Sequence, residues 1–201
     1  MAYIGKVPTA VPLTSADIQD GTIALADLSA TGTKDATTFL RGDNTFASAG
    51  GDNTPAFFVR MSSNQSTTNG AINKVQLDVE DYDTDSCFDN STNYRFTPTT
   101  SGKYFFFAGG RGFATSGTLN YVNVLIRKNG TAGVANTFTN SATEQYSSPG
   151  NSGTASLGII LNMNGTTDYV ELYMQVGGTS PQIEYASNGN STFFGGYKII
   201  E

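Results

Sequence analysis

The amino-acid sequence predicts an all-β sandwich for the larger part of the chain, residues 55–201. Apolar and polar residues alternate along short segments such as Tyr169 to Val176, which is typical of strands with one buried face. Turn signals separate these segments, and no helical period persists for more than about two turns. The apolar sides of the strands must therefore face each other in two packed sheets.

The pattern predicts eight to ten short strands. Asn129-Gly130 is the strongest two-residue hairpin signal, and Asn164-Gly165 predicts another tight turn. Residues 81–93 are expected to form an acidic loop, and residues 136–153 a long polar loop. The strands are expected at Ala56 to Met61, Val75 to Val79, Tyr94 to Thr97, Lys103 to Ala108, Tyr121 to Lys128, Ala155 to Met163, Tyr169 to Val176, Ile183 to Tyr185 and Phe193 to Ile200.

Residues 1–50 have a different composition from the rest of the chain. They carry Pro8, Pro12 and many small residues, and their apolar residues are too sparse for a core of their own. Such a segment becomes ordered only by packing on copies of itself or on a partner. We therefore expect an extended, largely irregular stem, followed by a linker at residues 51–54 that ends a Gly-rich stretch.

The composition argues against several classes of partner. The chain has 201 residues and a net charge of -6, and its 11 basic residues form no stripe, so nucleic acid is not expected as a partner. The first residues lack the apolar stretch of a signal peptide, and no apolar run is long enough to cross a bilayer. We expect synthesis in a cytosol and no membrane insertion.

No arrangement of residues typical of an enzyme is evident. The chain has no histidine to serve as a base beside a nucleophile. Asp168 and Glu171 are three residues apart and so fall on opposite faces of a strand, whereas Glu144 and Glu184 fall in predicted loops. The single cysteine, Cys87, is interpreted as a buried core residue that cannot form an intrachain disulfide. We predict no enzymatic activity and no catalytic residue.

Four phrases in residues 55–201 resemble the complement-q/tumour-necrosis-factor jelly roll. The resemblance implies a ten-stranded jelly-roll head that forms a compact homotrimer, with the aromatic residues after Gly102 in its core. In this chain the proline follows the threonine directly, where the family usually has one residue between them. The phrases are Phe96-Thr97-Pro98 with Gly102-x-Tyr104-x-Phe106, Arg127-Lys128-Asn129-Gly130, residues 155–174, and Phe193 to Tyr197.

The N-terminal part resembles bacteriophage tail-fibre and virion-fibre proteins. Its first 23 residues look like the start of many such proteins, and residues 32–47 are similar to their FLRGDGTW phrase, with Asn44 and Phe46 replacing Gly and Trp. We interpret Arg41-Gly42-Asp43 as a turn with solvated charges and a flexible glycine, not as an integrin-type tripeptide. Together the two resemblances imply a phage virion protein, assembled in the host cytoplasm.

The resemblance implies a short homotrimeric fibre bound to other virion structural proteins through its stem. The head is expected to recognise a host cell-surface glycan or protein. The alternatives are a capsid or tail decoration protein with no receptor, and a host-encoded secreted complement-like protein, which the missing signal peptide disfavours. The virion-anchoring residues are expected to be Tyr3, Ile4, Val11, Leu13 and Ile18.

Three aromatic residues in predicted loops are candidate binding residues: Phe138, Tyr146 and Tyr185. They lie among Asn, Thr, Ser and Gly, and sugar sites combine flat apolar faces with amide and hydroxyl groups. The alternative for each is packing back onto the sandwich or onto a neighbour in the trimer.

No cofactor and no metal ligand is assigned from the sequence. One acidic run leaves calcium open, because calcium takes six to eight oxygen ligands, but it lacks Gly and Glu at the offsets of a calcium loop. The alternative is a solvated acidic loop. The run comprises Asp78, Glu80, Asp81, Asp83, Asp85 and Asp89.

Overall fold

The computed structural model of the protein describes residues 24, 29–48, 53–130, 138–145, 151–185 and 191–200, with only the backbone of 138–145. Strands, turns and irregular segments make up these ranges, and no helix occurs in them. Consequently none of the described residues belongs to a helix that could span a membrane. The chain divides into two compact units, Met1–Gly51 and Asp52–Glu201.

The first unit contains a small antiparallel hairpin. Strand β1 (Thr38–Leu40) pairs with β2 (Phe46–Ser48), and the predicted turn at residues 41–43 lies between them. Asn44 N donates to Arg41 O (3.0 Å), and Asn44 has a φ of 62°. Gly42 is not at a positive φ, so the residue of this turn in the left-handed conformation is Asn44. The flexibility expected of Gly42 stays a prediction.

The second unit is a sandwich of two sheets. The first sheet has the strand order β4-β14-β9-β15-β3-β6, and β12 pairs with β9 along its whole length. Its strands are β3 (Ala56–Arg60), β4 (Gln65–Ser66), β6 (Val79–Asp83), β9 (Gly102–Ala114), β12 (Ser152–Met163), β14 (Pro181–Ile183) and β15 (Phe193–Lys198).

The second sheet has the order β11-β10-β13-β8-β7, with β5 paired to β13. All of its pairs are antiparallel. Non-consecutive strands are neighbours in both sheets, so the chain crosses repeatedly between them. The strands are β5 (Ile72–Lys74), β7 (Phe88–Asp89), β8 (Arg95–Phe96), β10 (Leu119–Lys128), β11 (Phe138–Gln145) and β13 (Val170–Gly178).

The core lies between the two sheets and is rich in aromatic rings. Phe57 and Phe96 stack with their ring centroids 4.2 Å apart, and Tyr104 and Phe106 are fully buried, as the Gly102 phrase predicts. Glycines on the inner face of β9 let the sheets approach closely, since a Cβ at Gly110 would lie 2.5 Å from Met174 of the opposite sheet. This close contact holds the outer faces of the two sheets in fixed positions.

Two segments that we predict to be loops contain strands. Residues 138–145 form β11 at the edge of the second sheet. The predicted acidic loop, residues 81–93, contains the last three residues of β6 (Val79–Asp83), at the edge of the first sheet, and the whole of β7 (Phe88–Asp89). Edge strands need no apolar side chains, because backbone hydrogen bonds to a single neighbour suffice. Conversely, Val75 and Leu77 are fully buried in an extended segment that is not a strand.

The Asn129-Gly130 hairpin prediction is partly wrong. Both residues have positive φ, 57° and 88°, as a tight turn requires. However, Lys128 pairs with Phe138, so the connection between β10 and β11 is longer than two residues. Asn164-Gly165 lies between β12 and β13, and Asn164 Oδ1 accepts the backbone N–H groups of the next residues, Thr166, Thr167 and Asp168.

Candidate functional site: two outer sheet faces

The outer face of the first sheet carries a cluster of aromatic side chains, here called the aromatic face. Alternation along each strand directs every second residue away from the core. Because neighbouring strands are in register, these outward residues lie side by side across the sheet. The aromatic face consists of Phe58 on β3, Phe105 and Phe107 on β9, and Phe193 and Tyr197 on β15.

The rings of the aromatic face contact one another. Phe58 lies 5.7 Å from Phe193 and 6.2 Å from Phe107, measured between ring centroids. Phe105 continues the cluster, at 6.0 Å from Phe107 and 5.8 Å from Tyr197. These separations lie in the range of favourable aromatic pairs, so the cluster is one continuous apolar surface.

Glycines on the same face allow the rings to lie across neighbouring strands. A Cβ at Gly195 would come within 2.5 Å of the Phe107 ring, and one at Gly109 within 2.6 Å of the Phe193 ring. Gly158 of β12 lies under Phe105 in the same way, at 3.1 Å. The alternation of bulky aromatic residues with glycine therefore lets the rings cover the neighbouring strands.

The aromatic face is only partly covered within one chain. Its phenylalanines are half-buried, whereas Tyr197 is 37% exposed and the adjoining Ile160 of β12 is 57% exposed. Tyr82 of β6 extends the face beside Phe58, at 6.4 Å. A contiguous apolar surface of this kind is typical of a protein–protein contact.

A shallow depression of about 600 Å³ lies at one end of this face. Next to it, Arg111 pairs with Glu184 (Nε–Oε2, 2.9 Å) and donates to Ser152 Oγ (3.0 Å). Small and hydroxyl-bearing residues line the depression, namely Gly109, Gly110, Thr154, Ala155, Ser156 and Ser191, together with Phe193.

The outer face of the second sheet is polar and carries a buried carboxylate. Glu171 of β13 is only 3% exposed and is directly opposite Arg127 of β10 on one side and Arg95 of β8 on the other. Lys74 Nζ lies 2.5 Å from Glu171 Oε1, and the Tyr173 hydroxyl donates to Glu171 Oε2 (3.1 Å). Burial, and then the charge of Glu171, raise the pKa of Tyr173 to about 12, so the phenol keeps its proton at neutral pH.

Tyr185 is the one predicted binding residue whose side chain lies in the described part of the chain. It is half-buried and packs against the core, and its backbone N–H donates to Asn64 Oδ1 (2.8 Å). The backbone of Phe138 begins β11, and Tyr146 lies outside the described residues. The five predicted anchor residues, Tyr3, Ile4, Val11, Leu13 and Ile18, also lie outside them.

Three carboxylates of the acidic run, those of Asp78, Asp81 and Asp83, have separate protein partners. Ser62 N donates to Asp78 Oδ1 (2.8 Å), Arg60 pairs with Asp81 (3.0 Å) and Phe88 N donates to Asp83 Oδ2 (2.7 Å). Within the described ranges, no three acidic, cysteine or histidine residues are grouped to hold a metal ion.

The comparisons with known proteins identify the fold. No family model and no curated protein matches the chain. Three solved structures of murine APRIL, at pH 5.0, 8.0 and 8.5, are similar to it, with TM-scores of 0.53, 0.52 and 0.51. Each covers 72% of this chain and 98% of its own, at 10%, 8% and 8% identity.

The chain has a tumour-necrosis-factor-like jelly-roll fold. The predicted fold class, an all-β jelly-roll sandwich, is confirmed by the two sheets and by this similarity. At sequence identities of 8–10%, this similarity supports a shared fold and no shared function. Neither outer face was identified from the sequence, although the alternation Tyr169, Glu171, Tyr173, Gln175 was a usable signal for the polar one.

Proposed function

We propose that this protein is a short homotrimeric virion fibre whose jelly-roll head recognises the host surface. The observation that carries the proposal is the aromatic face, an apolar surface on one sheet that a single chain leaves partly uncovered. A second copy of the chain is the partner that fits this surface best. The resemblance of the head to a family of trimers supports three copies.

The stem supports the assignment to a virion. Its fibre-like phrase ends in the β1–β2 hairpin, where Asn44 occupies the position of the second glycine in FLRGDGTW. Three heads joined in one fibre would bind a repetitive surface multivalently, which raises avidity roughly 10²–10⁴-fold without new contacts. Weak binding by one head is therefore sufficient for attachment.

The oligomeric state tests the trimer. Ile160→Glu places a charge on the exposed edge of the aromatic face without entering the core. We expect sedimentation of the purified full-length protein to show a trimer, and the variant to be monomeric because a buried unpaired charge opposes association. Ile72→Glu is the matched control, since Ile72 is 45% exposed on the outer side of the other sheet. A monomeric wild type would contradict the trimer. Equal effects of the two variants would contradict the aromatic face as its interface.

Particle imaging and adsorption test the role in the virion. We expect antibody-gold labelling to place the protein on phage particles, and purified full-length protein to bind host cells and block adsorption. If particles are labelled but the purified protein neither binds host cells nor blocks adsorption, the alternative role as a capsid or tail decoration protein is favoured. An absence of labelling on particles would overturn the proposal as a whole.

A further inference from the structure

The outer face of the second sheet groups three cations around one carboxylate. Arg95 and Arg127 belong to the two strands that flank β13, and each is directly opposite Glu171. Lys74 of β5 is the third cation and pairs with Glu171. Asp89 of β7 is directly opposite Arg95, so three cations and two carboxylates lie on this face. They leave it with a small excess of positive charge, although the chain as a whole carries -6.

The Glu171 carboxylate pairs with Lys74, so both guanidinium groups remain available to a ligand. The guanidinium carbon of Arg127 lies 4.5 Å from the centroid of the Tyr173 ring, and that of Arg95 lies 4.5 Å from the Tyr169 ring. Stacking on a tyrosine ring fixes the plane of a guanidinium and leaves its N–H edges to a ligand. Both arginines are half-buried, so little side-chain entropy remains to be lost on binding.

One donor of this group lacks an acceptor. Arg127 Nε is buried and has no hydrogen-bond partner among the described residues. Leaving a buried charged donor unpaired is costly. Because Nε itself is buried, an incoming anion would contact the other N–H groups of this guanidinium and offset the cost through its charge. Glu171, by contrast, is satisfied by Lys74 and the Tyr173 hydroxyl.

The spacing of the two stacked pairs indicates the kind of anion. Tyr169 and Tyr173 are four residues apart, which is about 13 Å along a strand. Each guanidinium stacks on its own ring, so the two lie at separate positions along the face, and a polymer with repeated charges can contact both at once. The planar fork of arginine matches the two oxygens of a carboxylate.

We propose that this face binds a carboxylated polysaccharide, with Arg95 and Arg127 each taking one carboxylate of the same chain. The inference rests on the proposed function, because it names the class of surface glycan that the head recognises. Nucleic acid fits less well, because the tyrosine rings on which bases would stack already carry guanidinium groups. The net negative charge of the protein also opposes a nucleic-acid duplex.

Binding of full-length protein to immobilised polygalacturonate tests the proposal, with neutral dextran and duplex DNA as comparison probes. We expect binding to polygalacturonate only, and weaker binding as salt rises. The Arg95→Gln/Arg127→Gln double variant should bind about tenfold or more weakly, because each arginine supplies a charge-assisted contact. Arg41→Gln is the matched control, since it removes the same type of charge from the exposed turn of the first unit.

Arg127→Lys separates recognition by the guanidinium fork from general attraction. We expect it to fold like the wild type, with an unchanged thermal midpoint, and to bind several-fold more weakly, because lysine keeps the charge and loses the planar fork. If Arg127→Gln does not fold, polygalacturonate binding is compared between the wild type and the single variants Arg95→Gln and Arg127→Lys.

Three results would overturn the inference: no binding to polygalacturonate, undiminished binding by the double variant, or equal binding to duplex DNA. Host-cell adsorption by the same proteins separates this inference from the proposed function. Cells that are bound equally by wild type and double variant refute the polysaccharide site alone. Failure of the wild type to bind cells refutes the receptor-binding role.

Discussion

Asp168 links two turns of the head that are distant in sequence. Its carboxylate accepts from Lys128 Nζ (2.7 Å), Asn129 Nδ2 (2.8 Å) and Asn164 N (2.9 Å). Burial acts to raise the pKa of Asp168, but hydrogen bonds from Asn129 and Lys128, with the Lys128 charge, outweigh it and lower the pKa below 3.8. The ionised form is therefore the one that the fold stabilises.

We expect Asp168→Asn to lower the free energy of unfolding by about 1.5–3 kcal/mol at pH 7, because it removes charge-assisted hydrogen bonds. A lowered pKa contributes stability above 3.8, and this contribution is lost as the pH falls through the value in the folded state. The difference between variant and wild type should therefore shrink below pH 3.8. Urea denaturation at several pH values measures it.

Asp35→Asn is the control for the pH series. The pKa of Asp35 is also lowered, first by the Thr37 hydroxyl, but this carboxylate is exposed in the N-terminal unit. We expect no change in the unfolding of the head. A deficit of Asp168→Asn that stays constant from pH 7 to pH 3 would contradict the assigned role of the Asp168 charge.

At the level of single residues, the sequence predicted turns better than it predicted partners. The positive φ of Asn129 and Gly130 follows from their residue types. The bond from Asn129 to Asp168 joins residues 39 apart, so it depends on a strand arrangement that no local pattern contains. Asn44 is a further turn residue of this kind, since asparagine and the glycine that the fibre phrase has at this position both adopt a positive φ readily.

Among the strands, β9 connects the core with the outer surface. Tyr104 and Phe106 are fully buried, whereas Phe105 and Phe107 of the same run lie on the aromatic face. The Gly102 phrase places Tyr104 and Phe106 in the core, but the apolar pattern alone does not show that the rings on the other side of the strand belong to a surface cluster, because both sides of the strand are apolar. The aromatic face could therefore be recognised only after the sheet order was known.

Neighbouring glycines on β15 provide a test of the two sides of the first sheet. A Cβ at Gly196 would lie 2.5 Å from the Phe106 ring and 3.0 Å from Phe105 O, inside the core. We expect Gly196→Ala to destabilise the folded chain by about 1–3 kcal/mol through overpacking. Urea denaturation under identical conditions measures the change.

Gly195→Ala is the matched substitution on the outer side, where its Cβ would meet the Phe107 ring. We expect a smaller loss of folding stability and a larger loss of self-association, because the added methyl group displaces the Phe107 ring from its place in the aromatic face. Similar effects of the two alanines on both properties would show that the aromatic face has no separate role.

Edge strands were the elements least accessible from the sequence. β11 lies in a stretch of Thr, Ser, Asn and Gly that resembles a loop in composition, yet it pairs with β10 over eight positions, from Tyr121↔Gln145 to Lys128↔Phe138. Its pairing depends on backbone hydrogen bonds to one neighbour, which leave little trace in the pattern of apolar residues.

For the molecule as a whole, the order of the motifs was more informative than any one of them. Four weak phrases in the correct order led to the jelly-roll fold, which the similarity to murine APRIL confirms. The alternation of inward and outward residues along each strand can then be predicted. The charge cluster on one sheet and the aromatic cluster on the other depend on which strands are neighbours, and the sequence does not show this.

The proposed assembly through the aromatic face has a thermodynamic consequence. Because the folded copies stabilise one another by mass action, the thermal midpoint should rise with protein concentration. We expect a measurable increase over a hundredfold concentration range for the wild type and none for Ile160→Glu. A midpoint that does not depend on concentration would contradict an assembly linked to folding.

The reactivity of the Cys87 thiol can be used to measure how often the folded sandwich opens. Cys87 has the only thiol in a chain without tryptophan, it is 6% exposed, and burial raises its pKa. Thiol reagents attack the exposed thiolate, so modification should be very slow in the native protein and rapid in urea. The labelling rate in dilute buffer would then measure how often the sandwich separates around Phe57 and Phe96, without an added probe. Labelling of the native protein as fast as that of a free thiol would contradict the buried position.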